Sequence, residues 1–150
     1  MAVGEQALFV FTVSGVGLAI PAHDIGAVSA VDEPTPIPSA PAHVLGLVAA
    51  GERVLPLVDL AVFLDLAGEA SLQVDPLFRR TLFVKSGDLE AGLICHRARG
   101  LVAAESSALR EPSVLQGKRL RPYVTAEMDT GNGLVGVLDV AALLRAASVP

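Results

Sequence analysis

An internal repeat with a spacing of 80 residues constrains the fold of this chain more than any other feature of its sequence. The segment GERVLPLVDLAVFL at 51 to 64 aligns without gaps with GNGLVGVLDVAALL at 131 to 144, and most aligned positions are aliphatic in both. The identical pairs are Gly51 and Gly131, Asp59 and Asp139, Ala61 and Ala141, and Leu64 and Leu144. In each copy a short apolar strand precedes an aspartate and a helical segment. The repeat therefore predicts a duplicated unit of about 75 residues.

A second pair of segments matches at the start of each half. LFVFTVSGVGLAI at 8 to 20 and LFVKSGDLEAGLI at 82 to 94 each read as strand, tight turn and strand, at offsets of 72 to 75. Prolines in 33 to 41 and 111 to 122 indicate loops and edge segments, because proline removes an amide donor. The sequence thus predicts a mainly β protein with two small β-barrel units, at 8–79 and 80–147. The alternative is chance similarity between aliphatic segments.

The repeated aspartates, Asp59 and Asp139, stand between the predicted strand and helix of each copy. A carboxylate at this place accepts hydrogen bonds from unpaired backbone N–H groups and meets the positive end of the helix dipole, contributing roughly 1 kcal/mol. We therefore predict that both are structural helix caps.

Composition limits the classes of partner. With 150 residues, 52% of them hydrophobic, the chain is long enough for one folded domain. A net charge of −5 with scattered Lys and Arg argues against nucleic acid or an anionic membrane as partner, and no apolar run approaches the ~20 residues of a membrane helix. The single cysteine, Cys95, excludes an internal disulfide. The first residues lack the pattern of a signal peptide, and together with the single cysteine they predict a cytoplasmic location.

Candidate chemical groups are few, namely His23, His43 and the pair Cys95-His96. Neighbours on a strand point to opposite faces, so Cys95 and His96 do not readily share one metal ion. No CxxC, HxxxH, GxSxG or phosphate-loop pattern occurs. We expect no metal, no cofactor and no catalytic residue, and the alternative is a small β-barrel enzyme or ligand carrier using these groups.

Three segments of the first half together resemble the CheW family, the coupling proteins that join chemoreceptors to the CheA histidine kinase in bacterial signalling arrays. They are a leading LFVFTV strand, the proline-framed IPSAPAHVLGLV and the strand VLPLVDL. The second half agrees more loosely, through AGLICHRARGLV at 91 to 102 and LVGVLDVAALL at 134 to 144. The resemblance covers most of the chain.

This resemblance implies one CheW-like domain over 1–150, built from two packed SH3-like five-stranded β-barrels with short helices. It implies a non-catalytic adaptor that binds a CheA-type kinase regulatory domain and a chemoreceptor cytoplasmic tip, in the cytoplasm and recruited to membrane-associated receptor arrays. The expected partner-binding residues lie on the first barrel: Ile25, Val44, Leu45, Gly46, Ala49, Ala50, Gly51, Glu52, Arg53 and Leu55.

The chain departs from the family pattern at two places. Family members usually carry Asn-Leu-Arg-Gly where this chain has Ala-Ala-Gly-Glu at 49 to 52, and the adjacent Arg53 is a partial substitute for the missing arginine. Its other departure is His96, where the family usually has aspartate. An arginine offers fixed donors that glycine lacks, so the first departure predicts a dedicated partner and favours a specialised system. Chemotaxis proper, a motility or pilus system and a non-motility array are the alternatives that the sequence leaves open.

Overall fold

The computed structural model describes residues 5–113 and 117–148, which form short strands joined by turns and two short helices. The strands are β1 (Glu5–Val13), β2 (Val16–Pro21), β3 (Ile25–Ser29), β4 (Val44–Ala50), β5 (Arg53–Asp59), β6 (Arg80–Ser86), β7 (Leu89–Cys95), β8 (Arg97–Glu105), β9 (Val124–Asp129) and β10 (Leu134–Leu138). The α-helices are α1 (Leu60–Phe63) and α2 (Val140–Ala147), and single 3-10 turns occur at Ala22–Asp24, Ser71–Gln73, Ser106–Ala108 and Arg121–Tyr123.

These strands form two five-stranded sheets. The first sheet has the order β8-β1-β2-β10-β9, and the second has the order β3-β6-β7-β5-β4. Neighbouring strands are antiparallel, except that β2 and β10 pair in parallel in the first sheet and β5 and β7 do so in the second. The predicted mainly β architecture of two five-stranded units with short helices is confirmed.

The strand order corrects the predicted boundaries of the two units. Each sheet takes a hairpin from one half of the chain and three strands from the other, so the halves 8–79 and 80–147 do not correspond to separate sheets. The first hairpin, β1–β2, lies with β8, β9 and β10, whereas β6–β7 lies with β3, β4 and β5. Hydrophobic alternation predicts that a strand forms, but it does not specify which strand it pairs with. The two sheet orders become identical when β1–β5 are matched with β6–β10, which agrees with a duplication.

Main-chain bonds extend the 80-residue repeat beyond the aligned segments. The Asp59 amide donates to the His43 carbonyl at 2.7 Å, and the Asp139 amide donates to the Tyr123 carbonyl at the same distance. His43 and Tyr123 are also 80 positions apart in the sequence. Both rings pack on Phe63, with ring centroids 5.0 and 5.4 Å from its centroid. The repeated junctions therefore meet around one aromatic side chain.

The largest hydrophobic cluster draws on both sheets and both helices. It includes Phe11 of β1, Leu60 of α1, Leu82 of β6 and Leu143 of α2, each fully buried. Two smaller clusters lie within the individual sheets, one around Met128 and one formed by Val48, Leu57 and Ile94. Because residues from both halves of the chain pack in the main cluster, the two halves share one hydrophobic core. Within the described ranges, no helix is both long and apolar enough to span a membrane.

Candidate functional site

A surface groove of about 460 Å³ opens on the second sheet. Five of the predicted partner-binding residues line it: Ala49, Ala50, Gly51, Arg53 and Leu55. They belong to the β4–β5 hairpin, whose two-residue turn has Gly51 at φ +65°. Glycine adopts this left-handed conformation without a steric penalty, so the local sequence accounts for the tight turn. We call this feature the hairpin groove.

Strand register decides which hairpin side chains face the hairpin groove. Ala50 lies opposite Arg53, and Ala49 lies opposite Val54. Residues directly opposite each other in an antiparallel pair share a face, whereas adjacent residues on a strand point to opposite faces. Ala50, Arg53 and Leu55 therefore share the groove face. Val54 is 61% exposed and lies on the other face.

The remaining predicted residues do not offer free side chains on this groove. Val44 is 6% exposed, and Gly46 is buried at φ +145°, where an added Cβ would overlap a neighbouring carbonyl. Both residues are packed inside the protein and offer little surface to a partner, and their role in partner binding stays a prediction. Leu45 and Ile25 are half-buried and pack against hydrophobic clusters. Glu52 is exposed at the hairpin turn.

The charged residues of the hairpin groove form a compact network. Arg53 donates from Nη1 to both carboxylate oxygens of Glu90, and Lys85 Nζ lies 3.6 Å from Glu90 Oε1. The hydrogen bond from Arg53 lowers the pKa of Glu90 below its ordinary range. Arg53 therefore has an ion-pair partner within this chain, although 62% of its side chain is exposed. With Asp32 also on the wall, two cations and two carboxylates line the groove.

The sequence did not identify the wall formed by β6 and β7. Phe83, Lys85 and Glu90 line the hairpin groove, although they belong to the second half of the chain. They reach it because β7 pairs in parallel with β5 across the exchanged sheet. No local motif marks them, and only knowledge of the strand order would have located them.

The two repeated aspartates occupy the N-cap positions of the helices. Asp59 Oδ1 accepts from the Ala61 and Val62 amides at 3.1 and 3.4 Å. Asp139 Oδ1 accepts from the Ala142 amide at 3.1 Å. Each carboxylate thus satisfies backbone donors that a helix start leaves unpaired.

Asp59 also ends a buried polar chain that Asp139 lacks among the bonds of the described residues. Ser71 Oγ lies 2.6 Å from Asp59 Oδ1 and 2.9 Å from His96 Nε2, and His96 Nδ1 accepts from the Ser14 amide at 2.9 Å. A backbone N–H only donates, so Nδ1 carries no proton and the neutral ring carries it on Nε2. The ring then donates to Ser71, and Ser71 donates to Asp59. We call this the buried polar chain.

The hydrogen bond between His96 and Ser71 runs opposite to the one that activates a catalytic serine. A catalytic serine gives its proton to histidine, whereas here Ser71 receives a hydrogen bond from His96 and is 1% exposed. Burial raises the pKa of the Cys95 thiol to about 11, which keeps it protonated near neutrality.

The other candidate groups have separate partners. His23 pairs with Asp24 at 3.4 Å on the surface, and His43 Nε2 lies 3.1 Å from the Ala147 carbonyl at the end of α2. In the described part of the chain, no group of three or more His, Cys, Asp or Glu side chains could hold a metal ion.

Comparison with known proteins agrees with this architecture. A family model described as CheW-like domain matches residues 7–148. Among solved structures, the scaffolding protein TtCheW from Thermoanaerobacter tengcongensis is similar with a TM-score of 0.80 and 16% sequence identity, over 90% of this chain and 84% of that chain. A search of curated proteins found no match. Because the family model spans nearly the whole chain, the protein belongs to the CheW-like domain family.

Proposed function

We propose that this protein is a non-catalytic adaptor that couples a chemoreceptor-type sensor to a CheA-type histidine kinase. Its place is the cytoplasmic side of a membrane-associated chemosensory array. The family match over residues 7–148 carries this proposal. The hydrogen-bond direction in the buried polar chain and the buried, protonated Cys95 give it further support, because neither arrangement supplies a nucleophile.

The kinase regulatory domain docks, in this proposal, on the hairpin groove of the second sheet. The groove combines an apolar floor, which includes Leu55 and Phe83, with a charged rim formed by Arg53, Lys85 and Glu90. Interfaces commonly combine an apolar centre with a polar rim, and a few central residues supply most of the binding energy. Ala50 lies on the groove face and is only half-buried, so a change there tests docking with little effect on the core.

The decisive experiment measures binding of the full chain to a CheA-type regulatory domain and to a receptor cytoplasmic tip by titration calorimetry. Ala50→Asp places a carboxylate on the groove face, and we expect kinase affinity to fall at least about tenfold, equivalent to ~1.4 kcal/mol. Val54→Asp is the matched control, because it adds the same charge to an exposed position on the opposite face. We expect it to leave kinase binding unchanged.

Two outcomes would contradict this assignment. Loss of binding in Val54→Asp with full binding in Ala50→Asp would place the kinase on the other face of the hairpin. Absence of binding to the kinase domain and the receptor tip of the native cell by the unaltered, folded protein would remove the adaptor proposal itself. Circular dichroism of each variant separates loss of docking from loss of fold.

A dedicated partner is the second part of the proposal. The usual family arginine aligns with Gly51, which lies at the tip of the hairpin turn at φ +65°. A non-glycine residue there costs about 1–2 kcal/mol, so the missing arginine and the shape of this turn are linked. Arg53 is not an equivalent cation, because it lies in the strand after the turn and its Nη1 is paired with Glu90. The surface therefore favours a partner that does not require an arginine at the turn.

Restoring the family motif tests this second part. The combined changes are Ala49→Asn, Ala50→Leu, Gly51→Arg and Glu52→Gly, compared with the unaltered chain for binding to a CheA regulatory domain from an ordinary array. We expect tighter binding by the restored motif, by a factor of at least about ten, since a charged hydrogen bond at an interface contributes about 2 kcal/mol or more. Equal, tight binding by both proteins would show that these four residues do not select the partner.

A further inference from the structure

The imidazole of His96 joins parts of the chain that belong to different sheets. Its Nδ1 accepts from the amide of Ser14, in the β1–β2 turn of the first sheet. Its Nε2 lies 2.9 Å from Ser71, which donates to Asp59 at the end of β5 in the second sheet. The His96 amide adds a bond to the Thr12 carbonyl at 3.0 Å. One side chain thus connects the first hairpin with the repeat junction at Asp59.

Only the neutral ring satisfies both of these side-chain bonds. A protonated imidazole carries hydrogens on both nitrogens, so its Nδ1–H would face the Ser14 N–H, donor against donor. The Ser14 amide would then lose its acceptor while the Ser71 bond remained. Hydrogen-bond geometry alone therefore makes the link between turn and ring depend on the protonation state of His96.

The turn held by this bond has a strained residue. Ser14 and Gly15 have φ values of +51° and +78°, the left-handed pair of a two-residue hairpin turn. A serine adopts this region at a cost that glycine does not incur. The equivalent turn of the second hairpin places Gly87 at φ +60°, and among the described contacts its amide has no bond to a histidine. The left-handed conformation of Ser14 therefore depends on the bond to His96, whereas Gly87 adopts the same conformation without such a bond.

We propose that His96 is a proton-sensitive clasp, which holds the β1–β2 turn against the buried polar chain when neutral and releases the turn when it takes up a proton. Gly15 lies in this turn and lines a second surface cavity of about 610 Å³ on the first sheet. Release of the turn therefore changes the wall of that cavity. The inference does not depend on the adaptor role.

Burial of the ring sets the direction of the response, and the charges around the ring oppose it. Burial is the largest influence and lowers the pKa of His96, while the carboxylates of Asp59 and Glu69 oppose it. Arg97 follows in the chain, with its guanidinium 4.3 Å from the centroid of the Phe78 ring. The unfolded chain binds this proton near pH 6.5, and the folded chain binds it only at lower pH. The clasp is thus complete above pH 6.5 and is lost as the pH falls through the folded pKa.

Nuclear magnetic resonance of the full chain tests the clasp without any substitution. Imidazole nitrogen shifts above pH 6.5 should show the Nε2-protonated tautomer for His96, and its pKa should lie below the ordinary histidine value of 6.5. Amide exchange of Ser14, corrected for intrinsic exchange, should accelerate by up to about tenfold per pH unit below pH 6.5 as one linked proton is taken up. Gly87 is the internal control and should not show this step.

Variants add a second, independent measurement. In His96→Gln the amide side chain can accept from Ser14 and donate to Ser71 without titrating, so the acid-dependent exchange of Ser14 should disappear. The surface change His23→Gln should leave it intact. Equal acid-dependent exchange at Ser14 and Gly87, or a titration of His96 that leaves Ser14 protected, would overturn the proposal even if His96→Gln failed to fold.

Discussion

The two repeated aspartates provide an internal comparison of a simple helix cap with a cap that also anchors a buried polar chain. Replacing Asp139 by alanine removes one cap, which costs about 1 kcal/mol of unfolding free energy. Replacing Asp59 removes a cap and also the acceptor of the buried Ser71 hydroxyl. A hydrogen bond to a charged group contributes about 1.5–3 kcal/mol. We therefore expect Asp59→Ala to be the more destabilising change.

The expected totals are large enough to separate the two variants. Asp59→Ala should lower the free energy of unfolding by about 2.5–4 kcal/mol, against about 1 kcal/mol for Asp139→Ala. For a chain of this length these correspond to falls in Tm of about 5–16 °C and about 2–4 °C. Urea unfolding with unchanged m-values is the primary assay, because it distinguishes a change in stability from a change in the unfolded state.

A double-mutant cycle isolates the part due to the buried polar chain. Ser71→Ala combined with Asp59→Ala should cost less than the sum of the two single changes, by about 1.5–3 kcal/mol, because the second change removes an interaction that is already lost. Asp59→Asn keeps an acceptor oxygen and should cost less than about 1 kcal/mol. Equal costs for Asp59→Ala and Asp139→Ala, or full additivity with Ser71→Ala, would refute the reasoning.

Two further predictions concern the thiol and the glycines. Because burial raises the pKa of Cys95 to about 11, its thiolate is scarce near neutral pH, and alkylation followed by mass spectrometry should be slow in the folded protein and fast in denaturant. Rapid modification of the native thiol would contradict its burial. Gly46→Ala should destabilise the folded protein more than Gly51→Ala does. A Cβ at Gly46 would overlap the Thr35 carbonyl, whereas a Cβ at Gly51 would have no neighbouring atom within 4 Å. Thermal melts compare the two directly, and equal shifts would argue against the close approach.

Local features of the sequence were sufficient to predict the secondary structure and the repeated junctions. β-Branched and aromatic residues on both sides of Ser14-Gly15 predicted the first hairpin, because such residues favour strands and a tight turn needs residues that accept positive φ. The position of Asp59 and Asp139 between strand and helix likewise predicted the atoms that would cap α1 and α2. These relations span only a few residues, so pattern and propensity are enough to define them.

The tertiary structure alone decided which segments meet. Exchange of the hairpins placed Glu90 beside Arg53, and so paired the side chain that the sequence analysis gave as a partial substitute for the missing arginine. It also placed Ser14 and Ser71, which are separated by 57 positions (71 − 14), at the two nitrogens of one imidazole. Such contacts depend on strand order and register over long separations, and hydrophobic alternation is the same for every pairing partner. For that reason neither the hairpin groove's charged rim nor the buried polar chain could be predicted from the sequence.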